Sequence, residues 1–346
     1  MRYNELTPYG GVIMALCFVL SLSAGIALIP IFRFYKTGLY KPHIGDRLRG
    51  DDSSPRFGGA LMMIGIAAGC IGGAAVLSKS GGIDSAAAKR LTAALAYIIL
   101  CFAAGFLQDY VKQKLNRPAG LKEALIFIFL WGISLLFLVG LRLISGVTGE
   151  ILLPFRLGFL SLGAFYYPVT GLVMTICIYA FSIHDTFGGE EKYCCEGLMG
   201  VTVLLISLFF ASVAGGEGSM LGYITAGAAA GLLIWSFYPA KIYFGESGQL
   251  LCGAAVCAMC IISDKELLLI FLPVSAIIDM LGAILRYAHY IRTKKVLLLG
   301  GSIHAHLKQK GIEDIKIIII SLPFTIAGIA AGGMYFIYSS NILSGR

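Results

Sequence analysis

Charge is scarce in this chain. Only 13% of its 346 residues are Asp, Glu, Lys or Arg, whereas 58% are hydrophobic. Soluble domains carry about 25% charged residues, and a water-exposed fold of this composition would display large apolar patches. The deficit excludes an ordinary soluble protein and leaves the lipid bilayer as the matching solvent. Zinc-finger spacing and aromatic-basic stripes are also missing. The formal net charge of +8 therefore points away from nucleic acid, toward cytoplasmic loops that face anionic headgroups and phosphorylated substrates. Pro- or Ser-rich linkers and internal repeats are absent, so the chain reads as one domain spanning residues 1–346. Met1–Pro8 is short and weakly charged, and the apolar run after it lacks a small-residue cleavage site; it is read as the first span, not a removed signal. Of the nine cysteines, most lie in apolar runs, where free cysteine acts as a small hydrophobe. Cys194 and Cys195 adjoin each other in a polar loop without a metal-ligand pattern, and every cysteine is read as structural.

What is present is a series of apolar runs close to the roughly 20 residues that a helical span needs. Ten are expected: Tyr9–Phe32, Phe57–Ser78, Leu91–Leu107, Ala124–Leu141, Phe165–Ile183, Gly197–Gly215, Ser219–Phe237, Gln249–Ser263, Leu267–Tyr290 and Ile315–Tyr338. The fold class is thus all-α, a polytopic membrane protein of about ten helices. The eighth run is short and follows the seventh closely, which makes that pair the weakest assignment. With the N-terminus outside, the outer side holds Arg2, Lys79, Lys89, Arg90, Arg142, Arg156, Lys265 and Arg346, and the remaining Lys and Arg of the 27 fall in cytoplasmic loops. That bias sets the orientation and turns both termini outward. Asp109, Asp185, Glu246, His304 and His306 all fall on the cytoplasmic side. Carboxylates and imidazoles at membrane ends are costly unless solvated or paired, so their gathering predicts one site where several helices converge.

Four patterns on that side carry chemistry. Gly105-Phe106-Leu107-Gln108-Asp109-Tyr110, with Lys112 and Gly120-Leu121 after it, ends an apolar span in an acid; an ordinary helix end with a basic loop would look the same. In Tyr238 to Gly248, Gly245 and Gly248 flank Glu246. Such glycines let backbone approach a ligand and leave amides for phosphate oxygens, and the carboxylate suits Mg²⁺; a tight interfacial turn with a solvated Glu is the plain alternative. His304-Ala305-His306, with Lys308 and Lys310 nearby, can bind phosphate, a nucleotide or a metal, or be simply a polar loop. Ser182-Ile183-His184-Asp185 closes the fifth span with a His-Asp pair.

In this order and on one side of a ten-helix protein, the patterns resemble the phospho-N-acetylmuramoyl-pentapeptide transferase (MraY) family, within the polyprenyl-phosphate N-acetylhexosamine-1-phosphate transferases. The likeness runs from about Pro55 to Lys316. Pro55-Arg56-Phe57-Gly58-Gly59 stands for the family's Pro-Thr-Met-Gly-Gly, and Gln108-Asp109-Tyr110 for its Asp-Asp-Tyr. Tyr238 to Gln249 stands for Tyr-Pro-Ala followed by Met-Gly-Asp-x-Gly-Ser, and His304-Ala305-His306 with Lys310-Gly311 for its triple histidine and Lys-Gly. The departures are Gln108 for the first Asp, Glu246 for the Asp of the glycine loop, and Ala305 for the middle histidine. The Asn-x-x-Asp-Gly-x-Asp-Gly motif is reduced to Ser182 and Asp185, with Glu190, Glu191 and Glu196 in the loop that follows. Asp51 and Asp52 occupy the stretch where the family has a basic residue.

The resemblance implies a transferase that moves a sugar-1-phosphate, phospho-N-acetylmuramoyl-pentapeptide first, from a UDP-sugar to undecaprenyl phosphate and releases UMP. This is a step of peptidoglycan synthesis at the cytoplasmic face of the bacterial inner membrane. It implies Mg²⁺ as cofactor, with Glu246 and Asp185 as ligands and catalytic residues, and Asp109 positioning or deprotonating the lipid phosphate. It implies substrate contacts from Lys112, Tyr110, Gly245, Gly248, His304, His306 and Lys310. Lipid is a partner, nucleic acid is not, and a homodimer is allowed for. Pro168 and Pro273 are expected to bend the fifth and ninth spans and open a groove for the prenyl tail. The departures also suit a second reading, a paralogue that keeps the fold and binds lipid phosphate or a partner without turnover. A transporter would need inverted repeats and midplane charges; Asp279 alone resembles the latter.

Overall fold

The computed structural model describes residues 3–34, 55–79, 85–114, 120–145, 149–154, 158–185, 195–295 and 302–344. The basic loop residues Lys36, Lys41, Arg47, Arg49, Arg117 and Lys192, together with Asp51, Asp52, Glu190, Glu191 and Cys194, lie outside them.

The chain is an all-α polytopic membrane protein. Among the described residues, nine helices are long and apolar enough to cross a bilayer. These are α1 (Tyr3–Phe34), α2 (Gly58–Lys79), α3 (Ser85–Lys114), α4 (Glu123–Ser145), α5 (Tyr166–Asp185), α7 (Gly216–Ser236), α8 (Gly245–Ile262), α10 (Val274–Thr293) and α12 (Asp314–Ser344). The expected sixth span is the shorter apolar helix α6 (Leu198–Val213). Its 16 residues reach about 24 Å, less than the roughly 30 Å hydrocarbon core.

The expected ninth span is divided. A short helix α9 (Leu268–Phe271) ends before Pro273, and α10 begins after it. Proline has no N–H to give and its ring crowds the carbonyl four residues back. A side chain on Gly328 of α12 would overlap the Phe271 carbonyl, so α12 closes on the chain at this break. Pro168, by contrast, does not bend α5. It is the third residue of that helix, in the first turn, where an N–H has no intrahelical partner to lose. Its carbonyl accepts a hydrogen bond from Trp131 Nε1 at 3.2 Å.

The eighth span, the short run close behind the seventh, is the axis of the bundle. Every residue of α8 from Ser247 to Ile262 is buried. Its sequence is rich in Gly, Ala and Cys, and small residues let membrane helices approach closely. A Cβ on Gly253 would lie 2.7 Å from the Cα of Ile178 in α5. The buried cysteines (Cys101, Cys177, Cys252, Cys257 and Cys260) are free and part of this core.

The two ends of the bundle are distinguished by their polar contacts. At one end Arg90, near the start of α3, pairs with Glu217 at the start of α7 (3.2 Å) and with Asp264 after α8 (3.3 Å). On the same side lies a feature the sequence did not suggest, an antiparallel hairpin of β1 (Glu150–Leu152) and β2 (Phe159–Ser161). The hydroxyl of Tyr335 in α12 donates to the Leu152 carbonyl at 2.9 Å and ties the hairpin down. The opposite end gathers the last turns of α3 and α5 and the first turn of α8. A seven-residue helix, α11 (Ile303–Gln309), folds back there beside α10.

Candidate active site

The site is built around the first turn of α8. Gly245 opens the helix with φ +69°, a left-handed conformation that favours glycine. A Cβ there would overlap the Arg56 carbonyl. The Pro55–Gly59 segment runs alongside: Tyr243 N donates to Pro55 O (2.9 Å), Gly58 N to Tyr243 O (2.9 Å) and Gly59 N to Phe244 O (3.1 Å). From the other side α3 approaches through Gly105, where a Cβ would lie 2.5 Å from the Glu246 carbonyl. Two of the four sequence patterns, together with the Pro55–Gly59 segment, thus converge because their glycines allow backbone to meet backbone.

Asp109 is buried at this junction. Its carboxylate accepts hydrogen bonds from the amides of Glu246 (3.0 Å) and Ser247 (2.9 Å). A carboxylate at a helix N-terminus satisfies orphan amides and complements the helix dipole. Gly248 N donates to Phe244 O at 3.3 Å. The glycine loop therefore does not present these three amides to a phosphate, as its sequence suggests. Its glycines serve close packing, and Asp109 fills the anion position at the head of α8.

One turn along α3, Lys112 Nζ lies 2.6 Å from Glu246 Oε1. Lys112 is buried and Glu246 half-buried. Asp185, buried at the end of α5, accepts from Gln249 Nε2 at 2.8 Å, and Gln249 Oε1 accepts from Ser182 Oγ at 2.9 Å. Asp185 is thus joined to α8 three residues beyond Glu246, one helical turn away. Gln108 does other work. Its Oε1 accepts from Leu121 N at 2.8 Å and fastens the turn that starts at Gly120. Tyr110 is exposed.

The histidine loop divides into two. His304 is buried, and its Nδ1 lies 3.0 Å from Asp279 Oδ2. His306 is half-buried and Lys310 exposed. Ala305 is buried, and its amide donates to Ser302 Oγ, which caps α11. Lys308 pairs with Asp314 at 2.7 Å.

Two features escaped the sequence reading. Asp279 of α10 also meets His184 Nδ1 at 2.7 Å, so one carboxylate joins the ends of α5 and α11. An acid within an apolar run and a histidine at the end of another were the only signals. Glu196 is fixed as well, accepting from Ala240 N (2.8 Å) and from the Tyr243 hydroxyl (3.2 Å). It braces the loop ahead of α8. Close by, the Cys195 thiol is buried, which pushes its pKa up and keeps it an inert thiol.

Comparison with known proteins fits this geometry. The sequence model of glycosyl transferase family 4 matches residues 91–264, the stretch from α3 through α8. Similar proteins include the phospho-N-acetylmuramoyl-pentapeptide-transferase of Clostridioides difficile (strain 630), 23% identical over 90% of this chain and 92% of the relative. Those of Desulfitobacterium hafniense (24% identical, 92% and 94% covered) and Pelotomaculum thermopropionicum (26%, 91% and 95%) are similar too.

Proposed function

The chain belongs to glycosyl transferase family 4, and on that basis we propose that it is a phosphoglycosyl transferase of cell-wall precursor synthesis. It moves phospho-N-acetylmuramoyl-pentapeptide from its UDP-linked donor to undecaprenyl phosphate. The observation that carries this reading is the meeting of Asp109, Lys112, Asp185 and Glu246 on the first two turns of α8. The full-length similarity to relatives bearing the transferase name favours turnover over a non-catalytic paralogue.

In the reaction an oxygen of the prenyl phosphate attacks the β-phosphorus of the donor. The bond from that phosphorus to the bridging oxygen breaks, and UMP leaves with the electron pair. Two polyanions must meet, so positioning and charge neutralisation carry the catalysis. Lys112, held at 2.6 Å from Glu246, keeps an ammonium at the meeting point. Asp109 acts through α8: by holding two amides of its first turn it fixes where Glu246 stands. With His304 turned to Asp279, the donor's phosphates fall to His306 and Lys310, on the outer part of the same loop. Tyr110 is exposed at the end of α3, where a prenyl chain in the bilayer can reach it.

Mg²⁺ prefers oxygen donors and completes its shell with substrate phosphates. Glu246 and Asp185, two carboxylates tied to successive turns of α8, fit that preference. The group of two histidines and one carboxylate at Asp279 does not. Bound at Glu246 and Asp185, Mg²⁺ would neutralise charge on the donor diphosphate. The site faces the cytoplasm of a bacterial inner membrane, a reading supported by the crowding of Lys and Arg at this end. We read residues 1–346 as one domain, since helices from α1 to α12 contribute to one apolar core.

The test is purified protein with undecaprenyl phosphate and Mg²⁺, assayed for UMP. Release is expected with UDP-N-acetylmuramoyl-pentapeptide and to stop on chelation of Mg²⁺. Release with a different UDP-sugar alone would keep the reaction class and change the donor. No release with any donor would remove the enzyme reading.

A further inference from the structure

We propose that His184, Asp279 and His304 bind one divalent transition-metal ion of the zinc or cobalt class, separate from the Mg²⁺ position at Glu246 and Asp185. The proposal goes beyond the transfer reaction and does not rest on it.

The three side chains come from α5, α10 and α11, all are buried, and their ligand atoms lie within 4.8 Å of one another. Both imidazoles aim Nδ1 at one oxygen, Asp279 Oδ2, at 2.7 Å from His184 and 3.0 Å from His304. Donors about 2.1 Å from a tetrahedral ion stand about 3.4 Å apart, so these groups need to spread by only about half an ångström to receive one. The other oxygen of Asp279 accepts the His304 amide at 3.4 Å, which anchors the carboxylate.

Proton placement sharpens the case. The Thr202 hydroxyl has a single proton, and it goes to the Leu198 carbonyl at 3.1 Å. With the proton so placed, Thr202 accepts from His184 Nε2, 3.1 Å away, and in that tautomer Nε2 carries the hydrogen. A neutral His184 then presents a bare Nδ1 lone pair to a carboxylate oxygen. Two acceptors this close need a cation between them. A proton would reconcile His184 with Asp279, whereas one divalent ion reconciles both imidazoles and the carboxylate together. Thr202 behind His184 is the kind of outer partner that fixes the tautomer of a metal-bound histidine. Two nitrogens and one oxygen select a transition metal over Mg²⁺. By joining α5, α10 and α11, the ion would hold the histidine loop against the bundle.

The experiment uses full-length protein without a polyhistidine tag, in detergent, with no UDP-sugar or prenyl phosphate. After EDTA treatment and desalting, Zn²⁺ and Co²⁺ are added back separately and bound metal is measured. About one Zn²⁺ per chain is expected to survive a second desalting. Co²⁺ should give visible d–d absorption, and the refilled protein should melt at a higher temperature than the stripped protein. Asp279→Asn and His184→Gln should each weaken Zn²⁺ binding at least tenfold, while Glu246→Gln leaves it unchanged. Absence of saturable Zn²⁺ or Co²⁺ binding by the wild type would overturn the proposal without recourse to any variant, and so would variants that bind as the wild type does. Zn²⁺ binding without UMP release from any donor would strike the transfer reading and leave this site standing.

Discussion

Glu246 stands where two demands meet, the pairing of a buried lysine and the binding of a metal. Lys112 Nζ is 2.6 Å from one of its oxygens, and Asp109 fixes the backbone beneath it. Replacement by glutamine keeps the shape and leaves an acceptor for Lys112, but it removes the negative charge that Mg²⁺ needs. Glu246→Gln is expected to lower Mg²⁺-dependent UMP release by roughly 100-fold or more, the scale of losing one strong electrostatic contact at a reacting centre. A mutant turning over at the wild-type rate would take Glu246 out of the site. At this scale the sequence was informative where a pattern is local. Asp109, Glu246 and the glycines beside them lie in short motifs, and their proximity follows from sharing one end of the bundle. It was uninformative where partners are remote. Asp279 meets residues 95 positions before it and 25 after it, and no spacing rule joins three such segments. In the sequence Asp279 stands out only as an acid deep in the ninth span, and the general cost of an unpaired acid inside a membrane does not name its partners.

At the scale of elements, α8 shows how composition both reveals and conceals. All ten expected spans correspond to helices, since long apolar runs leave the backbone no other way to satisfy its hydrogen bonds in lipid. Yet the helix rich in Gly, Ala and Cys, the shortest of the nine long apolar helices among the described residues, is the most enclosed. Hydropathy measures preference for lipid, whereas a helix at the centre of a bundle touches protein, and small residues serve that contact. The break at Pro273 was legible because proline inside a helical run removes a hydrogen bond and crowds the preceding turn, although α12 runs on through Pro323. Pro168 was misjudged because that consequence vanishes in the first turn. The β-hairpin, with strands of three residues each, is too short to leave a periodic signal. Gly245 tests how tightly the head of α8 is fitted. Alanine there must adopt φ near +69°, costing about 1–2 kcal/mol, and its Cβ would also overlap the Arg56 carbonyl. Gly245→Ala is expected to lower the melting temperature of the purified protein and to abolish UMP release. Gly132→Ala in α4, where a Cβ would meet nothing within 4 Å, should lower neither. Equal melting temperatures for the two variants would show that α2 and α8 do not pack as described.

For the molecule as a whole, two clusters at opposite ends make the orientation testable. Arg90, Glu217 and Asp264 mark one end; Asp109, Glu246, Asp185 and the histidine loop mark the other. The loop charges assign the second end to the cytoplasm, because Lys and Arg are retained there during insertion. A UDP-linked donor is a soluble cytoplasmic metabolite by its charge, so catalysis requires the same assignment. Both arguments are independent of the packing, which would look the same inverted. Single cysteines on a cysteine-free background decide between them. Lys310 is exposed beside the histidine loop, and Arg142 is exposed near the far end of α4. In intact cells an impermeant thiol reagent added outside should label Arg142→Cys and leave Lys310→Cys unmodified until the membrane is opened. Labelling of position 310 in sealed cells would turn the protein over. The site would then face away from the cytoplasmic UDP-sugar pool, and the transfer reading would fail with the topology even though every contact around α8 remained in place.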